Sequence, residues 1–246
     1  MVVDQSKFVD TSLDFFIMTR WSLWDFGGLE MLPRETFKNL ENEKQERILE
    51  TAVEEFASQG FRQASVNRMV QKLGIAKGSI FQYFGTKEGL FHVVFDHAVD
   101  LVRRSLRQVK QATAETDFFE RIRQSLIAGI HFIDRHPKVY RIYLKMVFQE
   151  DFPLRAEFLQ QVHLFSAEYL RPLVESGIAG GTLRRDLDVD AAVFFLDALM
   201  DRFLQAYCVS FLDAGSGLYQ APAGEMDRRV EEFVQLIKRG MGTDGK

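Results

Sequence analysis

Residues 65–84 hold the pattern that leaves this chain the fewest folds. Ser65 precedes Val66, Met69, Val70 and Leu73. Their i, i+3, i+4, i+7 spacing is that of one buried helix face. Ser65 is placed to cap the start of that helix and Gly74 to end it. A short turn follows, and a second run opens at Lys77. In it Ile80 and Phe84 share a face at i and i+4. Gly78, Ser79 and Gln82 point the other way, flanked by Lys77 and Phe81. The spacing predicts helix, tight turn, helix. A buried apolar seam beneath small, hydrogen-bonding and basic residues suits a helix lying in a DNA major groove. Gln82 can donate to and accept from one base edge at once.

Charge points the same way. From residue 60 to 87 the charged side chains are Arg62, Arg68, Lys72, Lys77 and Lys87, with no Asp or Glu. In a chain of net charge −4, that run is expected to concentrate attraction to phosphate in one place. A solvated basic face on a purely structural hairpin would carry the same residues.

The chain has 246 residues, room for one large or two ordinary domains. With 46% hydrophobic and 27% charged residues it reads as globular, and 23 Phe supply a large aromatic interior. Cys208 is the only cysteine, so intramolecular disulfides and cysteine-rich zinc sites are excluded and a reducing cytoplasm fits. No apolar run approaches the roughly 18 residues of a membrane span, so no membrane partner is expected.

Residues 1–40 read as an N-terminal extension. Their apolar stretches, Phe15 to Met18 and Trp21 to Trp24, are interrupted by Asp14, Arg20 and Asp25 and show no sustained period. Either they form an arm that packs on the body or a partner, or Met31 is the natural start. From Asn42 the pattern turns helical. Ile48, Leu49, Ala52, Val53, Phe56 and Ala57 form one apolar stripe that Gly60 ends. This helix would brace the hairpin. Thr86 can cap a further helix, whose opening Lys87 opposes the macrodipole and is therefore read as a phosphate contact. That helix runs through Leu90, Val94, Leu101 and Val109, long enough to serve two domains. Beyond it the spacing predicts helices at about 117–135, 137–149, 153–178, 189–212 and 225–239, and no strand. The fourth of these is apolar on more than one face, and with the last is expected to meet a second subunit.

Catalytic and metal-binding patterns are thin. His92, His97, His131, His136 and His163 form no metal-ligand spacing, and no Gly-rich loop follows a strand. Neither a cofactor nor a metal is expected, and an enzyme is not. Phe132, Tyr140, Tyr143, Met146, Phe165 and Tyr169, with Val147, Phe148 and Phe158, lie on helices able to surround a cavity. Tyr143, His131 or His163 would give it polar points, suiting a hydrophobic or amphipathic effector.

Together Ile48 to Phe56, Gly60-Phe61, Ser65-Val66, Gly74 to Phe84 and Thr86-Lys87-Glu88 resemble the N-terminal domain of TetR-family transcriptional regulators. The match covers about a fifth of the chain. Two positions depart from it: Ala76 stands where serine is common and Phe81 where tyrosine is common. The resemblance implies an all-α fold, with a three-helix helix-turn-helix domain at 41–88 and a helical effector-binding and dimerisation domain at 89–246. It implies a homodimer on a pseudo-palindromic double-stranded operator. Lys77, Gly78, Ser79 and Gln82 fall where the family reads bases or adjacent backbone. Ser65, Phe81, Tyr83, Thr86 and Lys87 fall at phosphate-facing or supporting positions. The alternative is a helical ligand-binding or scaffold protein whose basic hairpin meets an acidic protein partner.

Overall fold

The structure, a computed structural model, describes residues 35–149, 152 and 155–243, the side chain of Phe165 excepted. The readings made for residues 1–34 lie outside these. The helices are α1 Glu35–Lys38, α2 Asn42–Gln63, α3 Val66–Leu73, α4 Lys77–Phe84 and α5 Lys87–Ala112. They continue as α6 Phe118–Arg135, α7 Pro137–Phe148, α8 Arg155–Ala179, α9 Val189–Cys208, α10 Ser210–Asp213 and α11 Ala223–Met241. Among the described residues the only β pairing is a single bridge between Leu183 and Gly242. The all-α expectation holds.

Local chemistry sets the ends of the helices that carry the hairpin. Gly60 takes φ 72°, a left-handed value that kinks α2 near its end. The Ser65 hydroxyl accepts from the Arg68 N–H and starts α3. Gly74, at φ 68°, ends it, while the Ile75 N–H bonds to the Val70 carbonyl at 3.2 Å. The Thr86 hydroxyl accepts from the Gly89 N–H at 3.0 Å and starts α5. Ala76 gives α4 no side-chain cap.

Two packed clusters hold the molecule. The first joins α1–α5 to α7 and the start of α8, around Phe56, Phe91, Ile80, Phe84 and Met146. The second joins α6, α8, α9 and α11, around Leu126, Val174, Leu196, Phe203 and Val230. Each fully buried large apolar side chain contributes about 1.5–3 kcal/mol. α5 enters the first through Leu90 to Phe95, and Val109 is buried further along, outside both. Residues of the proposed extension enter the first cluster too. Phe37 of α1 packs on Phe84 at 4.8 Å and on Tyr83 at 6.0 Å between ring centroids. The helix expected at 189–212 breaks at Val209, whose extended φ −125° and ψ 106° separate α9 from α10. The chain beyond winds around Asp213, whose carboxylate accepts from Ser216, Leu218 and Tyr219.

Candidate functional site

The α4 helix is seated by its buried residues Ile80, Tyr83 and Phe84. Its seat is tight at one point. A Cβ on Gly89 would lie 2.2 Å from the Phe84 carbonyl oxygen, so only glycine lets α5 pass this close to the end of α4. Thr36 of α1 donates to the Gln82 carbonyl at 3.3 Å. The outward face carries Lys77, Gly78 and Gln82, all exposed, with Phe81 39% exposed and Ser79 half-buried. A Cβ on Gly78 would meet nothing within 4 Å. The fold itself does not require glycine there, although glycine weakens a helix by about 0.5–1 kcal/mol relative to alanine.

The other predicted contact residues are placed less freely. Ser65 is half-buried as a cap, with its own N–H on the Glu55 carboxylate at 2.8 Å. Tyr83 is buried, so it supports α4 from beneath. Thr86 is exposed and caps α5. Lys87 turns inward. Its Nζ donates to the carbonyls of Phe61 at 3.0 Å and of Arg62 and Ala64 at 3.3 Å, and sits 4.5 Å from the Phe61 ring centre. The lysine that opposes the dipole of its own helix serves the end of α2.

The unbroken basic run is corrected by its neighbours in space. Arg68 binds the carboxylate of Glu55 through both Nε and a terminal nitrogen. Lys72 bonds to Glu54 at 2.7 Å. Both acids come from α2, outside the stretch that showed only positive charge. Lys77 makes no ion pair among the described residues, its ammonium lying 5.9 Å from the Phe81 ring centre. Glu54 also accepts from Lys138 of α7 at 2.7 Å. The two lysines hold its pKa down at about 2. One carboxylate thus ties α2 to α3 on one side and to α7 on the other.

Between the two clusters lies a cavity of about 270 Å³, walled by α5, α6, α7, α8 and α9. Phe132, Tyr140, Tyr143, Met146 and Tyr169 line it, and so does His163. Phe165 lies on α8, its side chain outside the described set. His131 is exposed, two residues past cavity-lining Gly129 and so on the opposite side of α6. Phe158 packs instead on Phe95 in the first cluster, at 4.2 Å, and Phe148 is exposed.

Sequence reasoning missed the α5 and α9 walls, including Phe95, Asp197 and Asp201. Two acids one turn apart amid the apolar residues of mid-α9 were the available signal. Tyr143 donates to Asp201 Oδ1 at 2.8 Å, and His163 Nδ1 lies 2.9 Å from Asp197 Oδ2. Burial pushes the Tyr140, Tyr143 and Asp201 pKa values up. Burial also pushes the Cys208 thiol up to about 11, away from thiolate chemistry. No group of His, Cys, Asp and Glu suited to a metal occurs among the described residues.

The comparisons agree with this architecture. A family model described as bacterial regulatory proteins, tetR family, matches residues 48–94. A second, the tetracyclin repressor-like C-terminal domain, matches 116–242, more than half the chain. A TetR family regulator structure from Chloroflexus aurantiacus is 32% identical, covers 87% of this chain and 100% of its own, and superposes with a TM-score of 0.64. The chain belongs to the TetR family. Among curated relatives it is 26% identical to the probable acrEF/envCD operon repressor of Escherichia coli K12, over 72% of this chain and 81% of that one. It is also 26% identical to the repressor AcnR of Corynebacterium glutamicum, over 66% and 80%. As a TetR family member it is a ligand-responsive, DNA-binding transcriptional regulator. The family consists of regulators rather than enzymes. No helix among the described residues is long and apolar enough to cross a membrane.

Proposed function

We propose that the chain is a dimeric repressor that reads a pseudo-palindromic operator through α4 and releases it when a small, mainly apolar effector fills the cavity. The observation that carries this is the outward face of α4. Lys77, Gly78 and Gln82 are exposed there, and Gly78 stands where the protein's own packing leaves room for any side chain. Small and polar residues on a rigidly seated helix fit close approach to base edges. In this reading Gln82 and Lys77 contact bases, Gly78 and Ser79 admit the backbone, and Phe81 and Thr86 face phosphates. Ser65, Tyr83 and Lys87 hold the frame. The DNA-binding unit is residues 41–88, buttressed by α1, and the effector unit is 89–246. The setting is the cytoplasm.

Release follows from population shift. α7 forms part of the cavity wall through Tyr140, Tyr143 and Met146, and bonds to α2 through Lys138 and Glu54. A ligand that wedges α7 would move α2 and the α4 seat with it, so that two reading helices no longer match grooves about 34 Å apart. Tenfold weaker operator binding needs about 1.4 kcal/mol of coupling. FadR of Bacillus subtilis, solved in complex with stearoyl-CoA, is 18% identical with a TM-score of 0.61. It supports the idea that a body of this fold admits a long apolar ligand. The test is a gel shift against DNA upstream of the protein's own gene at several salt concentrations. A specific reader keeps its sequence preference as salt rises, whereas a phosphate-only binder loses all duplexes together.

A further inference from the structure

Of the charged side chains on the cavity wall, Arg103, His163, Asp197 and Asp201, only Asp201 has no ionic partner among the described residues. Asp197 and His163 pair at 2.9 Å, and that hydrogen bond raises the imidazole's pKa, which favours its cationic form beside the carboxylate. Arg103 faces Asp100 at 3.4 Å. Among the described residues Asp201 has neutral hydrogen-bond partners only, Tyr143 on Oδ1 at 2.8 Å and Gln205 on Oδ2 at 2.7 Å. Both its oxygens accept, the arrangement that favours an ionised carboxylate against the opposing pull of burial. Asp201 also stands one helical turn from Asp197, a like-charge spacing that α9 gains nothing from.

A second observation is independent of these acids. Tyr140 is only 9% exposed, lines the same cavity, and its hydroxyl finds no partner among the described residues. The Gln161 side-chain oxygen, on α8, lines the cavity too and is equally unpartnered among the described residues. Buried polar atoms are nearly always hydrogen-bonded, and unmet oxygens in the same cavity as a carboxylate without an ionic partner fit a donor that is also a cation. The rings of Tyr140 and Tyr143, 5.5 Å apart, offer π faces to the same charge.

We propose that the cavity takes a lipophilic amine in its protonated form, the ammonium at Asp201 and the apolar body against Phe95, Phe132, Met146 and Leu204. The assignment rests on reading the cavity as the effector site. Carboxylate or phosphate head groups would meet the charge of Asp201, while Arg103 on the same wall already faces Asp100.

Calorimetric titration of the full chain with phenylbutylamine, phenylbutanol and phenylbutyrate tests this, since the three differ only in the end group. The amine is expected to bind at least about tenfold tighter than either other ligand. Asp201→Asn should bring the amine down to the alcohol's affinity while the alcohol's changes less than about twofold. His163→Gln, at a half-exposed position, leaves Asp197 unpaired and should tighten the amine by about threefold. This second variant keeps the test open should Asp201→Asn fail to fold. The proposal falls if the acid or alcohol binds as tightly as the amine, if none of the three binds, or if neither variant moves the amine-to-alcohol ratio. Operator release is scored separately in the same samples. An acid or alcohol that binds best and releases DNA overturns the charge assignment and leaves the effector reading standing. An amine that binds with the expected preference yet leaves operator affinity unchanged upholds the charge assignment and removes the effector role.

Discussion

Lys87 shows how far a single residue can be read without its neighbours. A lysine opening a helix is unfavourable for that helix, and phosphate binding is the obvious compensation. In space the end of α2 lies beside it, and three carbonyls and an aromatic face take the ammonium. Charged hydrogen bonds contribute about 1.5–3 kcal/mol in favourable cases. Lys87→Ala is therefore expected to lower unfolding stability by about 1–3 kcal/mol, measured by urea denaturation, and to weaken every duplex to a similar degree. Gln82 should behave in the opposite way. It is exposed and its side chain has no partner among the described residues, so Gln82→Ala should leave the urea midpoint within error. Binding to an operator library should lose discrimination at one or two positions, by about 1–3 kcal/mol each. Uniform loss across all sequences would take base reading away from Gln82. The pattern around Gln82 was legible because exposure on a short helix follows from period alone. The fate of Lys87 was not, because its partners lie more than twenty positions away.

At the scale of elements, the caps and breaker of the hairpin were visible: Ser65, Gly74 and Thr86 each act where their chemistry suggests. What hid was pairing between elements. The basic run lost Arg68 and Lys72 to Glu55 and Glu54, because α2 packs alongside α3 and brings its acids across. Glu54 carries the sharper consequence, since it also holds Lys138 of α7, a helix that contributes to the cavity wall. Its pKa falls from the ordinary 4.5 to about 2 on folding. A depressed carboxylate adds stability that is fully present above pH 4.5 and is lost as pH falls toward 2. The urea midpoint of the wild type should thus exceed that of Glu54→Gln by a constant margin from pH 7 to about 5, and the margin should narrow below that. High salt should shrink it at every pH, the tie being exposed. Glu54→Gln should also leave effector affinity near the wild-type value while reducing the effector's effect on operator binding by about threefold or more. Unchanged coupling in a folded variant would show that the signal leaves the cavity by another helix.

For the whole molecule, the question is what covers the faces of α9 and α11. Phe194 is 74% exposed and Leu236 63%, although both helices contribute to one core through Phe203 and Phe233, whose rings meet at 4.7 Å. Large apolar groups this exposed on adjoining helices are what a two-fold interface would bury. The sequence foreshadowed it in α9, which has apolar residues on more sides than one core can use. It could not separate that excess from the cavity wall, since Leu204, which lines the cavity, and Phe194 look alike until the helix is packed. The two roles separate under mutation. Phe194→Glu combined with Leu236→Glu touches no buried side chain, so the fold should persist by circular dichroism, with the cavity's ligand affinity retained. Sedimentation should show a single subunit in place of a dimer. Affinity for a full operator should fall about 10²-fold or more, because each reading helix then binds without the effective concentration its partner supplies. Affinity for an isolated half-site should hardly change, and this contrast separates lost pairing from a damaged α4. A variant that still sediments as a dimer places the interface elsewhere. A single subunit that keeps full operator affinity removes groove spacing as the quantity the effector controls.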